Sequence, residues 1–175
     1  MRFLVYVPQG FTDENFSMVK LFLSKWGISY DTSSYPGGNS GGLHGAVCNV
    51  DIRTGYVNWA DYLGIIIVDG LGIDAERLFD YRPILDLMVQ LNNSGKVILA
   101  INNGVKVVAR ANIVTGKKIS VMGDKGSFDL VRLFRGVPSA EPIEIAGNII
   151  TIHSDHDGEL EGPMKKAMEY IEKRV

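Results

Sequence analysis

The segment 96–104, Lys-Val-Ile-Leu-Ala-Ile-Asn-Asn-Gly, constrains the fold of this chain more than any other. Its apolar part, 97–101, is short and rich in β-branched residues, which is typical of a strand buried on both faces of a parallel sheet. A turn beginning at Asn102 interrupts the run, and apolar residues then return at helical spacing. Strand, sharp turn and helix is the arrangement on which α/β hydrolytic enzymes place a nucleophile. Here the turn carries asparagine, and an amide is not a nucleophile.

The rest of the chain repeats this alternation of apolar strands and amphipathic helices. We predict further strands at 3–7, 28–32, 46–50, 56–57, 62–68 and 116–122, and a hairpin over 141–153 that turns at Gly147. We predict helices at 13–26, 73–92, 105–112, 128–134 and from 160 or 163 to 173, with Pro83 starting or kinking the second part of 73–92. This order predicts a three-layer α/β/α sandwich around a mostly parallel central sheet, flavodoxin-like in class.

Composition and charge narrow the classes of protein that this chain can be. Its 175 residues, 46% of them hydrophobic, are expected to form one domain, 1–175, with a sizeable core. A net charge of -2 argues against nucleic acid or an anionic membrane as partner. Cys48 is the single cysteine, so no internal disulfide can form, and no apolar run is long enough to span a membrane. We therefore expect a cytoplasmic protein.

Polar residues follow several of the predicted strands. In parallel sheets, ligands bind beyond the carboxyl ends of the strands. This rule brings six residues to one edge of the sheet as candidate ligand-binding residues: Gly10, Asp69, Gly70, Asn102, Asn103 and His153. Glu14, at the start of the first helix, joins them as a further candidate. Acidic residues also suit a helix N-terminus without any further function.

Two other segments have residue types that are found in binding sites. The glycine-rich segment 35–45 lacks the Gly-Lys-Ser/Thr ending of a phosphate-binding loop, and we interpret it as a hairpin or surface loop. The cluster 153–157, His-Ser-Asp-His-Asp, offers metal-ligating side chains. Consecutive residues rarely converge on one ion, however, so we expect no metal and interpret the cluster as a polar loop leading into the last helix. Cys48 is interpreted as a packed or interface thiol.

The order and spacing of four segments resemble the ThiJ/PfpI superfamily, a branch of the class I glutamine amidotransferase-like fold. The segment 65–70 resembles the family strand that ends in Pro-Gly-Gly, and 95–104 resembles the Gly-Lys-x-x-x-Ala-Ile-Cys-x-Gly elbow. The segment 108–118 is similar to the helix and Gly-Lys-Lys that follow, and 146–152 to the late strand Asp-Gly-Asn-Leu-Ile-Thr-Ser. The resemblance covers nearly the whole chain and implies a homodimer.

The resemblance also implies that the cysteine chemistry of the family is lost. Its nucleophile falls at Asn102, the histidine of protease-like members at Asn103, the glutamate of the first helix near Asn15, and a further histidine near Met122. The glycine pair that forms the family's oxyanion hole becomes Asp69-Gly70, so we expect a backbone donor to survive at Gly70. An arginine that binds anions in the family falls at His153, which suggests contact with an anionic ligand.

Asparagine at the elbow nevertheless has a physical rationale. The family holds this position at positive φ, and asparagine tolerates φ above zero better than most residues do. We hypothesise that the turn was retained while the chemistry was lost. Asp69 lies beside this elbow and could act as a general base. A simpler interpretation is that Asp69 caps the helix that begins near Asp74 or accepts backbone N–H groups in the turn. We prefer this simpler interpretation.

Three functions remain open from the sequence, none of which requires a cofactor. The first is a non-enzymatic family member that binds a small ligand or a partner at the strand-end pocket. The second is a hydrolase or carbonyl-modifying lyase that uses Asp69, Glu14 or His153 in place of cysteine. The third is a structural subunit. The first is our preferred hypothesis.

Overall fold

A computed structural model describes residues 2–121, 123–154 and 160–175 of the chain. The strands are β1 Arg2–Tyr6, β2 Ser29–Ser34, β3 Asn39–Gly41, β4 Val47–Asn49, β5 Ile52–Arg53, β6 Gly64–Ile67, β7 Val97–Ile101, β8 Lys118–Ser120, β9 Val137–Ser139, β10 Ile143–Ala146 and β11 Ile149–Ile152. The α-helices are α1 Asp13–Lys25, α2 Gly72–Ala75, α3 Arg82–Asn93, α4 Val105–Arg110, α5 Lys125–Leu133 and α6 Glu161–Glu172.

The central sheet has seven strands in the order β10-β11-β7-β6-β1-β2-β5. Every neighbouring pair is parallel except β10 and β11, which form the predicted antiparallel hairpin. Two short pairs, β3-β4 and β8-β9, lie outside this sheet. The mostly parallel sheet predicted from the sequence is therefore confirmed.

Strand β7 is buried over its whole length, and its side chains alternate between two cores. Ile98 and Ala100 belong to a core that includes Met88 of α3. Val97, Leu99 and Ile101 belong to a second core that includes the apolar faces of α1 and α6. Because successive side chains of a strand point to opposite faces, a strand covered by helices on both sides must be apolar throughout. This arrangement is the predicted three-layer sandwich.

Two local predictions are wrong. Residues 56–57, predicted to be a strand, are not one: residues 54–56 form a 3-10 turn, in which the Val57 N–H donates to the carbonyl oxygen of Thr54. The predicted single helix 73–92 is divided into α2, a 3-10 turn over Leu78–Asp80, and α3. Pro83 lies in the first turn of α3, where its missing N–H and fixed φ are tolerated, so it starts the second helix.

Candidate functional site

The elbow after β7 has the strained backbone that the sequence predicted. Asn102 has φ of +48°, in the left-handed region, and its side chain is buried. Strand β7 hydrogen-bonds β6 on one side and β11 on the other, so the carboxyl ends of three strands meet at this turn. The chain continues from the elbow through a short 3-10 turn, Asn102–Gly104, directly into α4. Asn102 thus occupies the position from which a nucleophile would face the strand-end pocket.

Asp69, which follows β6, is the centre of the hydrogen-bond network below the elbow. It is 7% exposed, and its carboxylate accepts three side-chain hydrogen bonds. Thr12 Oγ1 and Asn102 Nδ2 each donate to Oδ2 at 2.9 Å, and Asn15 Nδ2 donates to Oδ1 at 2.9 Å. A buried carboxylate needs such donors, because an unpaired charge would be costly in the interior.

The preferred interpretation of Asp69 from the sequence is therefore wrong in its detail. The donors to its carboxylate are side chains, not backbone N–H groups. Helix α2 begins at Gly72 without a side-chain cap, so Asp69 does not cap it. A carboxylate has about four lone-pair sites, and three of those on Asp69 are already used. About one lone-pair site of the Asp69 carboxylate therefore has no donor among the described residues.

Both the nitrogen and the oxygen of the Asn102 side-chain amide form hydrogen bonds. Its Nδ2 donates to Asp69, and its Oδ1 accepts the backbone N–H of Ser154 at 3.0 Å. The side chain therefore ties the end of β6 to the segment after β11. In this position the amide acts as a structural connector between three parts of the sheet edge.

Asn103 forms a reciprocal pair with the peptide groups of Gly70. Its Oδ1 accepts the Gly70 N–H at 3.2 Å, and its Nδ2 donates to the Gly70 carbonyl oxygen at 2.8 Å. The resemblance to the ThiJ/PfpI superfamily implied that Gly70 would keep a backbone donor for an oxyanion. That donor is present, but it points to the Asn103 side chain.

A buried lysine, which the sequence analysis missed, lies behind this network. Lys106 of α4 is 7% exposed, and its Nζ lies 2.7 Å from Asp74 Oδ1 and 3.3 Å from Asp124 Oδ2. Burial acts to lower the pKa of Lys106, but the hydrogen bond and charge of Asp74, with help from Asp124, raise it above its usual value. The signal in the sequence was a lysine inside the apolar run that follows the elbow.

Asp124 serves both Lys106 and the N-terminus of α5. Its carboxylate accepts the backbone N–H groups of Gly126 and Ser127, and the hydroxyl of Ser127 at 2.6 Å. Burial acts to raise its pKa, but the bonds from Ser127 and the charge of Lys106 together lower it. The cap also explains why α5 begins at Lys125, three residues before the predicted start at 128.

These groups surround an open cavity of about 270 Å³, the elbow pocket. It is lined by Thr12, Leu43, Asp69, Gly70, Leu71, Asp74, Asn102, Asn103 and Asp124. Leu43 and Leu71 are exposed apolar side chains, whereas Asp69 and the two asparagines are largely engaged with one another. The carboxylates of Asp74 and Asp124 remain about half exposed, so the polar surface that the pocket offers consists mainly of acceptor oxygens.

The other predicted site residues are distributed around this pocket. Gly10 lies behind it, where its backbone has φ of +64° and its carbonyl oxygen accepts the N–H of Leu71. Glu14 is on the surface, with Oε1 2.8 Å from His44 Nδ1. Asn15 joins the network through Asp69. Met122 lies outside the described residues.

His153 lines a different cavity, of about 560 Å³, beside Val121 and Phe128. Its Nδ1 is 2.6 Å from Ser120 Oγ, and that hydroxyl is 2.6 Å from the carbonyl oxygen of Glu141. Because a carbonyl oxygen only accepts, the single hydroxyl proton is directed to Glu141, and His153 donates its Nδ1 proton to Ser120. Residues 155–157 of the cluster 153–157 lie outside the described part of the chain. Among residues 2–121, 123–154 and 160–175, no group of three metal-ligating side chains is placed to hold an ion.

Cys48 does not supply a replacement nucleophile at the elbow pocket. It lies on β4, is 5% exposed and belongs to the second core. Burial raises the pKa of its thiol, and a hydrogen bond involving Thr32 only partly opposes this effect. A raised pKa disfavours the thiolate, which is the reactive form.

The fold and the elbow define an α/β/α protein with a pocket at the strand–turn–helix junction. Residues 1–154 match the DJ-1/PfpI family, and the chain belongs to that family. An uncharacterized protein of Methanocaldococcus jannaschii is 30% identical over 152 residues, which cover 86% of this chain and 73% of that protein.

Solved structures agree with this assignment at the level of the fold. A ThiJ/PfpI domain protein of Brachyspira murdochii superposes with a TM-score of 0.86 at 20% identity, over 98% of this chain and 95% of the other. Drosophila melanogaster DJ-1beta superposes with a TM-score of 0.76 at 17% identity, over 100% of this chain and 91% of the other. Among the described residues, no helix is both long enough and apolar enough to cross a membrane.

Proposed function

We propose that this protein is a DJ-1/PfpI family member that binds a small polar ligand in the elbow pocket and performs no cysteine-dependent catalysis. The observation that carries the proposal is the position of Asn102. It keeps the strained elbow backbone, but its amide is bonded to Asp69 and to the Ser154 N–H. A nucleophile needs an available electron pair, and the nitrogen lone pair of an amide is delocalised into its carbonyl group.

The wall of the pocket suggests the kind of ligand. Its lining includes the partly exposed carboxylates of Asp74 and Asp124, and the exposed side chains of Leu43 and Leu71 add to a larger apolar share. Ligands that combine N–H or O–H donors with an apolar part would complement such a surface. Amines, amino acids and polyols therefore form the panel of candidate ligands.

A thermal-shift screen of that panel tests the proposal. A ligand present at about a hundred times its Kd should add about 2.7 kcal/mol of stability. The variant Leu71→Trp, which fills the pocket mouth, should lose this response. Leu21→Trp is the matched control, because Leu21 is similarly exposed, at 67% against 62%, but lies on α1 away from the pocket.

Three outcomes would contradict the proposal. A stabilising response that persists in Leu71→Trp would place the ligand elsewhere, and a flat response across the panel would favour a structural role. Cysteine-type peptidase or glyoxalase activity in the purified protein, unaffected by Cys48→Ser, would contradict the absence of cysteine chemistry. The alternative catalytic role for Asp69 predicts activity that survives Asn102→Ala and disappears in Asp69→Ala.

A further inference from the structure

A third cavity opens at the same sheet edge as the elbow pocket but at its opposite end. It has a volume of about 500 Å³ and is lined by Tyr35, Pro36, Arg53, Gly55, Tyr56 and Tyr81. We call it the tyrosine cavity. Tyr35 follows β2 and Arg53 ends β5, and these two strands pair at Ser34 and Arg53. The cavity therefore lies where the edge strand β5 and its parallel neighbour β2 end, which is a favourable place for a ligand.

The aromatic walls of the cavity are held in place. Tyr35 and Tyr81 pack edge to face, with ring centroids 4.2 Å apart and an interplanar angle of 71°. The backbone N–H of Tyr35 donates to the hydroxyl of the buried Tyr6 at 3.0 Å. A Cβ at Gly55 would lie 3.4 Å from the Tyr81 hydroxyl, so this glycine lies beside the end of that side chain. The third ring, Tyr56, is 75% exposed.

Arg53 brings a positive charge to this aromatic surface. A Cβ at Gly37 would lie 2.8 Å from Arg53 Nε, so the arginine lies against the bare backbone of this glycine. Gly37 has φ of +71°, which glycine adopts without strain. Within residues 2–121, 123–154 and 160–175, the side chain of Arg53 forms no hydrogen bond or ion pair. Its guanidinium donors are therefore directed neither to a carboxylate nor to a carbonyl of this part of the chain.

We propose that the tyrosine cavity binds a small planar aromatic anion, whose ring packs against the tyrosines and whose carboxylate or phosphate pairs with Arg53. Tyrosine rings favour stacked or edge-to-face contact with another π-system. The planar guanidinium forms paired hydrogen bonds with carboxylate and phosphate oxygens. Neither feature alone requires a ligand, but together they match a molecule with a flat ring and an anionic group.

Another interpretation of the same surface is a protein contact, because tyrosine and arginine are also enriched at interfaces. A cavity of about 500 Å³ favours a small molecule, since it falls within the range of volumes typical of ligand pockets. Self-association through this surface is an outcome that the experiment must detect. Sedimentation of the wild type and of each variant therefore accompanies the binding measurements.

The test measures binding of two aromatic anions, benzoate and adenosine 5′-monophosphate, by titration calorimetry with ligand-observed NMR. Benzamide and adenosine are neutral analogues of these probes, and cyclohexanecarboxylate is a non-aromatic anion. We expect at least one aromatic anion to bind with Kd below about 1 mM. The three control compounds should bind at least about tenfold more weakly. The probe that binds, benzoate or adenosine 5′-monophosphate, will show whether the site takes a carboxylate or a phosphate.

Variants assign that binding to the cavity. Arg53→Gln should weaken the affinity by about tenfold or more, because it removes the paired charge. Tyr56→Ala should weaken it by about fivefold or more, whereas Tyr56→Phe, which retains the ring, should stay within about twofold of wild type. Arg82→Gln removes the same charge from an exposed arginine on α3 and should change nothing.

Several results would overturn the proposal. The first is that neither aromatic anion shows saturable binding. The second is that the neutral analogues bind as tightly as the anions, and the third is that Arg53→Gln leaves the affinity unchanged. Sedimentation that shows a dimer lost in Arg53→Gln or Tyr56→Ala, without probe binding to wild type, would identify the surface as an interface between two copies. None of these results bears on the proposal that the elbow pocket binds a ligand, because that proposal is tested separately with the variant Leu71→Trp.

Discussion

The elbow pocket and the tyrosine cavity lie at the same edge of one sheet but differ in how their polar groups are used. At the elbow, Asp69, Asn102 and Asn103 are bonded mainly to one another and to the backbone. In the tyrosine cavity, the side chain of Arg53 has no partner in the described part of the chain, and Tyr56 is 75% exposed. A satisfied network fixes a backbone, whereas exposed rings and an unpaired charge leave interactions available to a ligand.

This difference leads to an order of effects on stability. Substitutions in the elbow network should reduce the free energy of unfolding, since they leave buried groups without partners. Substitutions in the tyrosine cavity should leave it nearly unchanged. Four variants test this contrast, beginning with the largest expected effect.

Asp69→Ala should be the most destabilising of the four. It removes the acceptor of three hydrogen bonds from Thr12, Asn15 and Asn102. We expect a loss of about 3 kcal/mol in the free energy of unfolding, measured by urea denaturation. Asp86→Ala, which removes an exposed carboxylate of α3, is the control and should cost less than about 1 kcal/mol. Similar losses for both variants would contradict the central role of Asp69.

Asn102 should contribute to the stability of the fold in two ways, through the hydrogen bonds of its amide and through its tolerance of positive φ. Asn102→Ala should lose about 2–3 kcal/mol, because it removes both amide contacts and places alanine in the left-handed region. Asn102→Gly also removes the contacts but relieves the backbone strain, so it should be more stable than Asn102→Ala by about 1 kcal/mol. Equal stabilities for these two variants would show that the elbow conformation is unimportant.

The charge of Asp124 should make a smaller, pH-dependent contribution to the free energy of unfolding. Since its pKa is lowered in the folded protein, its contribution is present above the ordinary value of 3.8 and disappears as the pH falls through the folded value. Asp124→Asn keeps a side chain that can cap α5, and at neutral pH it should cost about 0.5–1 kcal/mol after allowance for solvent screening.

Denaturation of wild type and Asp124→Asn at a series of pH values measures that contribution. The difference between the two proteins should be constant at neutral pH and shrink in acid. Asp129→Asn, in an exposed position of the same helix, controls for the loss of one negative charge. A difference that grows as the pH falls would have the wrong sign for a carboxylate whose pKa is lowered.

Arg53→Gln should have the smallest effect on stability. Because the Arg53 side chain has no partner among the described residues, the free energy of unfolding of the Arg53→Gln variant should stay within about 0.5 kcal/mol of the wild-type value. The same variant is expected to lose aromatic-anion binding, so affinity and stability would be separated in one protein. A marked loss of stability would mean that Arg53 has a structural role, and the contrast between the two cavities would fail.

Much of the fold could be predicted from local patterns. The apolar runs at 62–68 and 97–101 are strands of the central sheet, and Gly147 turns the hairpin between β10 and β11 with φ of +67°. These features depend on side-chain alternation and turn chemistry, which act over a few residues. The break between α2 and α3 was missed as a separate turn, although Pro83 marked the start of the second helix.

The site was predicted less completely than the fold. The resemblance to the ThiJ/PfpI superfamily implied a strained elbow at Asn102, and the rule for parallel sheets brought Asp69 to the same edge. It could not show that Thr12 and Asn15 donate to Asp69, because these residues are more than fifty positions away from it along the chain. The pairing of Lys106 with Asp74 and Asp124, and the separation of His153 into another cavity, likewise depend on how distant segments pack.

The sequence by itself determined the parallel sheet, the elbow and the absence of a thiol at it, because each follows from residue types at local spacing. Only the tertiary structure decided which groups satisfy the buried Asp69, where Gly70 directs its N–H, and that Arg53 lies beside three tyrosines. The physical reason is that hydrogen bonds and cavities form between side chains that folding brings together. Their partners are set by strand order and helix packing, which local patterns do not specify.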